Sequence, residues 1–245
     1  MAAPALVALA HGSRDPRSAR TVTALVDEVK SQRPELRVER AYLEKCRPEF
    51  QKVVDRLVRA GFEEIVVVPL LLSDPPPTEV ADAVAEATSR YPELRIRVTA
   101  TLGLEACFLE VLDVRMREAL AASRVRELDA LVLAAAGSTD PLANQAVARL
   151  ARLWGTHHKL PVTAAYAASA PPATGEAVRA FRGEGRRHIA VASLFLTPGP
   201  LVDRANELAL EAGAIAVSEP MGAHPEVART VLARYAVGAV ELVPV

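Results

Sequence analysis

His11 stands in Ala10-His11-Gly12-Ser13-Arg14-Asp15-Pro16, directly after the apolar run Ala5-Leu6-Val7-Ala8-Leu9. A neutral imidazole binds divalent metals and takes up protons near neutral pH, which makes this residue the first candidate for chemistry. Asp15 followed by Pro16 has the form of a helix N-cap with proline at the first helical position. Such a loop brings backbone N–H groups and the positive end of a helix dipole to Gly12, Ser13 and Arg14, a setting that suits carboxylates or phosphates. The same residues also fit a plain capped turn and a histidine packed at a strand end. His11 serves equally well as base or as ligand, and a single imidazole falls short of the four ligands of a structural metal site.

The other histidines offer less. His157 and His158 lie in a polar stretch between Trp154 and Pro161 and read as a solvated connection. His188 precedes a strand, at the edge away from the ligand side. His224, in Gly222-Ala223-His224-Pro225, begins a helix on the ligand side. The loop Ser73-Asp74-Pro75-Pro76-Pro77-Thr78 reads as a rigid strand-to-helix connection, since its prolines remove backbone donors. Thr78 and Glu79 suit the start of the next helix. Nucleotide-binding glycine loops, a serine-hydrolase elbow and a His-Glu-x-x-His motif are all missing, so no nucleotide is expected.

These residues need strands and helices to position them. Apolar runs at 5–10, 38–42, 65–72 and 96–101 alternate with amphipathic segments, the pattern of parallel strands covered on both faces. Runs at 130–135, 162–166, 189–196 and 214–217 repeat it. The opening phrase itself returns 125 positions later as Ala135-Ala136-Gly137-Ser138-Thr139-Asp140-Pro141, with Ala136 in place of the histidine. Tyr42 and Tyr166, Leu72-Ser73 and Leu196-Thr197, and Leu102-Gly103 and Met221-Gly222 correspond in the same order. The expectation is an α/β chain of two similar lobes from an internal duplication, each a four-stranded parallel sheet flanked by helices. Residues 1–124 form the lobe carrying His11, residues 125–245 the lobe without it, and the boundary lies near 123–126, with a cleft between them. Ligands in open α/β sheets bind beyond the carboxyl ends of strands, here the loops 11–15, 73–78, 136–140 and 197–201.

Composition narrows the class. A chain of 245 residues buries a substantial core in one or two domains, and a net charge of −1 with interleaved signs gives no footprint for nucleic acid. Cys46 and Cys107 have no Cys-x-x-Cys spacing and form no disulfide framework, which fits a reducing cytosol. The longest apolar stretch, 65–72, is too short for a membrane span. A cytoplasmic protein without membrane or nucleic-acid partners follows, either monomer or homodimer.

Ala10-His11-Gly12-Ser13-Arg14-Asp15-Pro16, Val66-Val67-Val68-Pro69-Leu70-Leu71-Leu72-Ser73, Ala134-Ala135-Ala136-Gly137-Ser138-Thr139-Asp140-Pro141 and Phe195-Leu196-Thr197-Pro198-Gly199 together resemble the sirohydrochlorin chelatase family, the class II tetrapyrrole chelatases, in its two-lobed long form. The resemblance covers nearly the whole chain. It implies a carboxylate-rich tetrapyrrole bound between lobes while Fe2+, Co2+ or Ni2+ is inserted without ATP. It makes His11 the metal-holding base, with Gly12, Ser13, Arg14, Arg47, Leu72, Ser73, Gly137 and Ser138 as the expected substrate-binding set. The chain departs from the family pattern at three positions: the second metal-binding histidine falls on Pro77, a following aspartate on Ala81, and an acidic residue on Arg47. Glu44, Cys46 or His224 would then have to complete the metal site. The departures leave two further readings, a non-catalytic binder of a tetrapyrrole or other anion, and a recruited enzyme with His11 as general base and Arg47 as carboxylate anchor.

Overall fold

The run at 5–10 becomes β1 (Ala5–Ala10), with every residue buried, because helices cover both faces of its sheet. The computed structural model describes residues 3–73, 76–125 and 127–242. Asp74 and Pro75 of the proline loop and Arg126 at the expected lobe boundary lie outside the described residues. After β1 come α1 (Pro16–Gln32), β2 (Val38–Tyr42), α2 (Phe50–Arg59), β3 (Glu64–Pro69), α3 (Thr78–Arg90), β4 (Arg95–Val98) and α4 (Phe108–Ala122). The second series is β5 (Ala130–Ala135), α5 (Pro141–His158), β6 (Val162–Tyr166), α6 (Thr174–Gly183), β7 (Ile189–Ser193), α7 (Pro200–Glu211), β8 (Ala216–Val217) and α8 (Pro225–Leu242). The sheets are all parallel, in the orders β2-β1-β3-β4 and β6-β5-β7-β8. The two-sheet α/β architecture expected from the repeat is therefore present.

The strands expected at 65–72 and 189–196 stop earlier, at Pro69 and Ser193. Leu70 and Leu194 each still donate to the central strand of their sheet, to the carbonyls of Leu9 (2.8 Å) and Ala134 (2.7 Å). Past Leu70 the Leu71 N–H turns back to the Pro69 carbonyl at 2.9 Å, so the apolar residues continue while the extended pairing does not.

The chain divides into two compact units, Met1–Gly103 with Ala223–Val245, and Leu104–Gly222. This differs from the division at 124/125 expected from the repeat. In the first unit α8 packs against α1, β3 and β4, burying Val227, Val231 and Tyr235. Arg234 fixes it there by donating to the carbonyls of Thr101 (2.7 Å) and Leu102 (2.9 Å), and the Tyr235 hydroxyl donates to the Pro4 carbonyl at 2.8 Å. On the other side of this sheet, α2 and α3 close over Val7, Leu9, Ile65 and Val67. In the second unit α4 packs against β7 and β8 through Phe108, Val111, Leu112 and Met116, while Arg115 donates twice to the Met221 carbonyl. There α6 and α7 cover the opposite face of the sheet, over Val132 and Val191. Each sheet thus takes its last helix from the other half of the sequence. An amphipathic face declares that it must be buried without declaring which sheet will bury it.

Truncation after Gly222 distinguishes the two divisions. Loss of α8 uncovers the apolar face of β3, so hydrogen exchange should lose protection in β1 and β3 and keep it in β5 and β7. If the units followed the sequence halves, protection would be lost in the second sheet.

Candidate active site

The loop after β1 is built from its own polar atoms. The Asp15 carboxylate accepts from the Arg17 N–H at 2.8 Å, with Pro16 opening α1, as the capping pattern requires. The Ser13 hydroxyl accepts from the Asp15 N–H at 3.1 Å. The Arg17 guanidinium grips the same carboxylate and, with the backbone bond, holds its pKa below the ordinary aspartate value. The helix start is already supplied with a negative group by the chain itself.

Gly12 lies at φ 103° and presses on the loop after β2. A Cβ there would collide with the Glu44 carbonyl oxygen, so the close approach requires glycine in both space and backbone angle. The contact extends the β1–β2 pairing past the sheet: Leu43 donates to the Ala10 carbonyl and Glu44 to the His11 carbonyl, both at 3.0 Å. That register brings the two side chains together, with His11 Nε2 3.0 Å from Glu44 Oε1 and both just under half exposed. Since a carboxylate only accepts, the Nε2–H donates and the lone pair of the neutral ring is left on Nδ1. Lys45, left-handed at φ 59°, pairs with the same Glu44 oxygen. The Lys45 ammonium first, and His11 after it, hold the Glu44 carboxyl below the usual glutamate range.

Of the three suggested partners for His11, the structure brings Glu44 to it and gives the others different work. The Cys46 sulfur accepts from the Ser13 N–H at 3.5 Å and donates to the Ser13 carbonyl at 3.0 Å, clasping the His11 loop from outside. His224 Nδ1 accepts from the Glu226 N–H at 3.2 Å at the start of α8. No group of three closely spaced His, Cys, Asp or Glu ligand atoms includes His11 among the described residues. Arg14 is exposed. Arg47 is 86% exposed on its side chain and pairs with Glu49 at 3.6 Å. Leu72 is half-buried and Ser73 exposed. Pro77 caps α3, which contains Ala81.

The second unit repeats the backbone without the chemistry. The Ser138 hydroxyl accepts from the Asp140 N–H at 3.0 Å, and the Asp140 side chain accepts from the Leu142 N–H at 2.9 Å. Gly137, at φ 85°, presses on the Ala168 carbonyl as Gly12 does on that of Glu44. Ala168 donates to the Ala136 carbonyl at 3.0 Å, matching the bond from Glu44 to His11. His11, Glu44 and Cys46 thus correspond to Ala136, Ala168 and Ala170. The Cys46 clasp is replaced by Asn144, whose side chain accepts from the Ser138 N–H (3.0 Å) and donates to its carbonyl (2.7 Å).

Beside the pair, folding adds Lys45, Lys52 and Arg90 to the Arg47 expected from the sequence. A cavity of about 710 Å³ in the first unit adjoins Glu44 and is lined by Lys45, Arg47, Lys52 and Arg90, among others. Lys52 and Arg90 stand on different helices, and only folding puts them on one wall. Glu44, Glu49 and Glu86 line the same cavity and pair with Lys45, Arg47 and Arg90 in turn, so a substrate carboxylate would compete with carboxylates already on the wall. His157 and His158, expected in a connection, instead form the last turn of α5.

A family model described as CbiX matches residues 5–119 and 130–237. The chain is 27% identical over 204 residues to a sirohydrochlorin cobaltochelatase of Priestia megaterium, covering 81% of this chain and 66% of that relative, just under two thirds of its length. Two solved structures share the fold. SirB from Bacillus subtilis with Fe3+ matches with a TM-score of 0.80 at 22% identity, covering 98% of this chain and 96% of that one. The sirohydrochlorin chelatase SirB from Bacillus subtilis subspecies spizizenii in complex with cobalt matches with a TM-score of 0.79 at 22% identity, covering 98% and 97%.

The charge arrangement at Glu44 gives a pH prediction. Its folded pKa is lowered, so any stability it contributes is present above the ordinary glutamate pKa and is lost as pH falls through the lowered value. Carbon-13 NMR should find Glu44 titrating below the ordinary range, and Lys45→Met should move the midpoint up towards it. A wild-type midpoint at or above the ordinary value would contradict the arrangement.

Proposed function

The chain belongs to the CbiX family, and from that premise we propose that it inserts Fe2+, Co2+ or Ni2+ into a carboxylate-rich tetrapyrrole of the sirohydrochlorin type, without ATP. The observation that carries this reading is the His11–Glu44 pair at the carboxyl end of β1, an imidazole and an ionised carboxylate 3.0 Å apart. Two donors about 2.0–2.2 Å from one octahedral ion lie about 3 Å apart in adjacent positions, so the pair is spaced to hold a divalent ion from one side. Glu44 then fills the place left by Pro77.

The reaction exchanges one divalent ion for two pyrrole N–H protons. An ion held by only two protein donors keeps positions open for the macrocycle nitrogens and leaves readily. On the proposed route the ring's proton moves through water from Nε2 to Nδ1, the ion binds at the freed Nε2 and at Glu44, and it then passes to the tetrapyrrole. The vacated imidazole accepts one of the released protons, and the adjacent carboxylate stabilises the resulting cation. Glu44, whose pKa is held low, passes the other proton to water. The cavity cations Lys45, Arg47 and Lys52 are proposed to receive substrate carboxylates, with Gly12, Ser13 and Arg14 beside them and Leu72, Ser73, Gly137 and Ser138 completing the substrate set. Arg47 is 86% exposed, so solvent and salt screen its charge where it meets a substrate carboxylate.

No helix among the described residues is long and apolar enough to cross a membrane. The near-zero net charge supports a small molecule over nucleic acid as partner, and the proposed reading is of a cytoplasmic monomer or homodimer without membrane partners.

The test is anaerobic addition of Co2+ to sirohydrochlorin, followed by absorbance. Wild-type protein should exceed the protein-free rate, and His11→Ala should lose about 10²-fold or more of the enhancement. A wild-type rate equal to the free reaction would overturn the reading, and a spectral shift on tetrapyrrole addition in that case would mark a binding protein instead.

A further inference from the structure

A second cluster of ligand atoms lies in the other unit, where the reaction above has no use for it. Asp113 of α4 and His157 and His158 of the last turn of α5 each offer one donor atom, all within 4.8 Å of one another. We propose that these three residues form a binding site for a borderline divalent transition ion such as Ni2+, Co2+ or Zn2+. The site shares no residue with the His11–Glu44 pair and does not depend on the chelatase reading.

Three features of the cluster support it. The carboxylate is held in place: Asp113 Oδ1 accepts from the indole N–H of the fully buried Trp154 at 2.7 Å and from His158 Nε2 at 2.7 Å. A ligand oriented by a buried neighbour in this way loses little freedom on binding. The imidazole rings of His157 and His158 stand edge to face, 4.9 Å between centroids, which turns two adjacent residues towards one place. The C-terminal end of α5 is the negative end of its dipole and favours a cation. Two imidazoles and a carboxylate suit borderline ions over Mg2+ or Ca2+. Three protein ligands leave at least one coordination position to water, so the ion is exchangeable.

Binding changes one hydrogen bond. In the ion-free protein the His158 Nε2–H donates to Asp113; if Nε2 takes the ion, the ring's proton is carried on Nδ1 and the Nε2–H···Oδ1 bond is replaced by two bonds to the metal. The ion would then tie α4 to α5, clamping onto this unit the helix that begins it.

The experiment is a calorimetric titration of full-length His11→Ala protein with Ni2+ in a non-coordinating buffer, which removes the other candidate ligand. One equivalent should bind. His157→Ala on that background should weaken it at least tenfold, and because His157 is exposed and takes no part in holding Asp113, circular dichroism should show the fold unchanged. Asp113→Asn, which keeps an acceptor for Trp154 while removing the charge, should weaken it likewise. Absence of an equivalent in His11→Ala protein, or less than tenfold weakening by His157→Ala, would overturn the proposal.

Discussion

The absence of a side chain at residue 12 lets the loop after β1 lie directly against the Glu44 carbonyl, and the site is a consequence of that contact. With the loops in van der Waals touch, Leu43 and Glu44 carry the β1–β2 hydrogen-bonding past the end of the sheet. This register puts the Glu44 carboxylate within 3.0 Å of the His11 ring. Cys46, two residues further on, reaches back to both polar groups of Ser13 and closes the same loop from the other side. A left-handed glycine, two backbone bonds and a thiol therefore position one imidazole and one carboxylate on a scaffold of buried parallel strands.

The second unit separates what the fold needs from what the chemistry needs. It keeps the positive-φ glycine at 137, the serine turn, the aspartate cap and the bond from residue 168 to residue 136, so these belong to the architecture. It has alanine at 136 and 168, so the imidazole and carboxylate of the first unit do not. Asn144 takes over the clasp, which identifies the part played by Cys46 as holding the loop. The matched loss of His11 and Glu44 in one duplicate is what a pair acting together would leave behind.

Much of this was legible in the sequence because it is local. The strands at 5–10, 38–42, 130–135 and 162–166 are apolar runs bounded by turn residues, and the structure has them at those bounds. The caps at Asp15 and Asp140 follow from neighbouring residues alone. His11 stands out from its place after an apolar strand and before a capped helix, and the family resemblance exposes the departure at Pro77. Three things required the fold. The choice of Glu44 over Cys46 and His224 depends on register across β1 and β2. The exchange of α4 and α8 between units depends on which sheet edge each helix reaches, and amphipathic patterning is silent on that. The cluster of Asp113, His157 and His158 joins residues from separate helices, and in sequence the histidines fit a connection equally well, because a polar helix end and a loop share the same composition.

The most direct measurement of the central claim, that His11 and Glu44 act as one unit, is a double-mutant cycle on the rate of Co2+ insertion into sirohydrochlorin, using His11→Ala, Glu44→Gln and the double variant. Residues that work only together are non-additive, so the double variant should fall no further than His11→Ala alone. Losses that multiply across the two sites would show that Glu44 acts independently of His11 and would contradict the account.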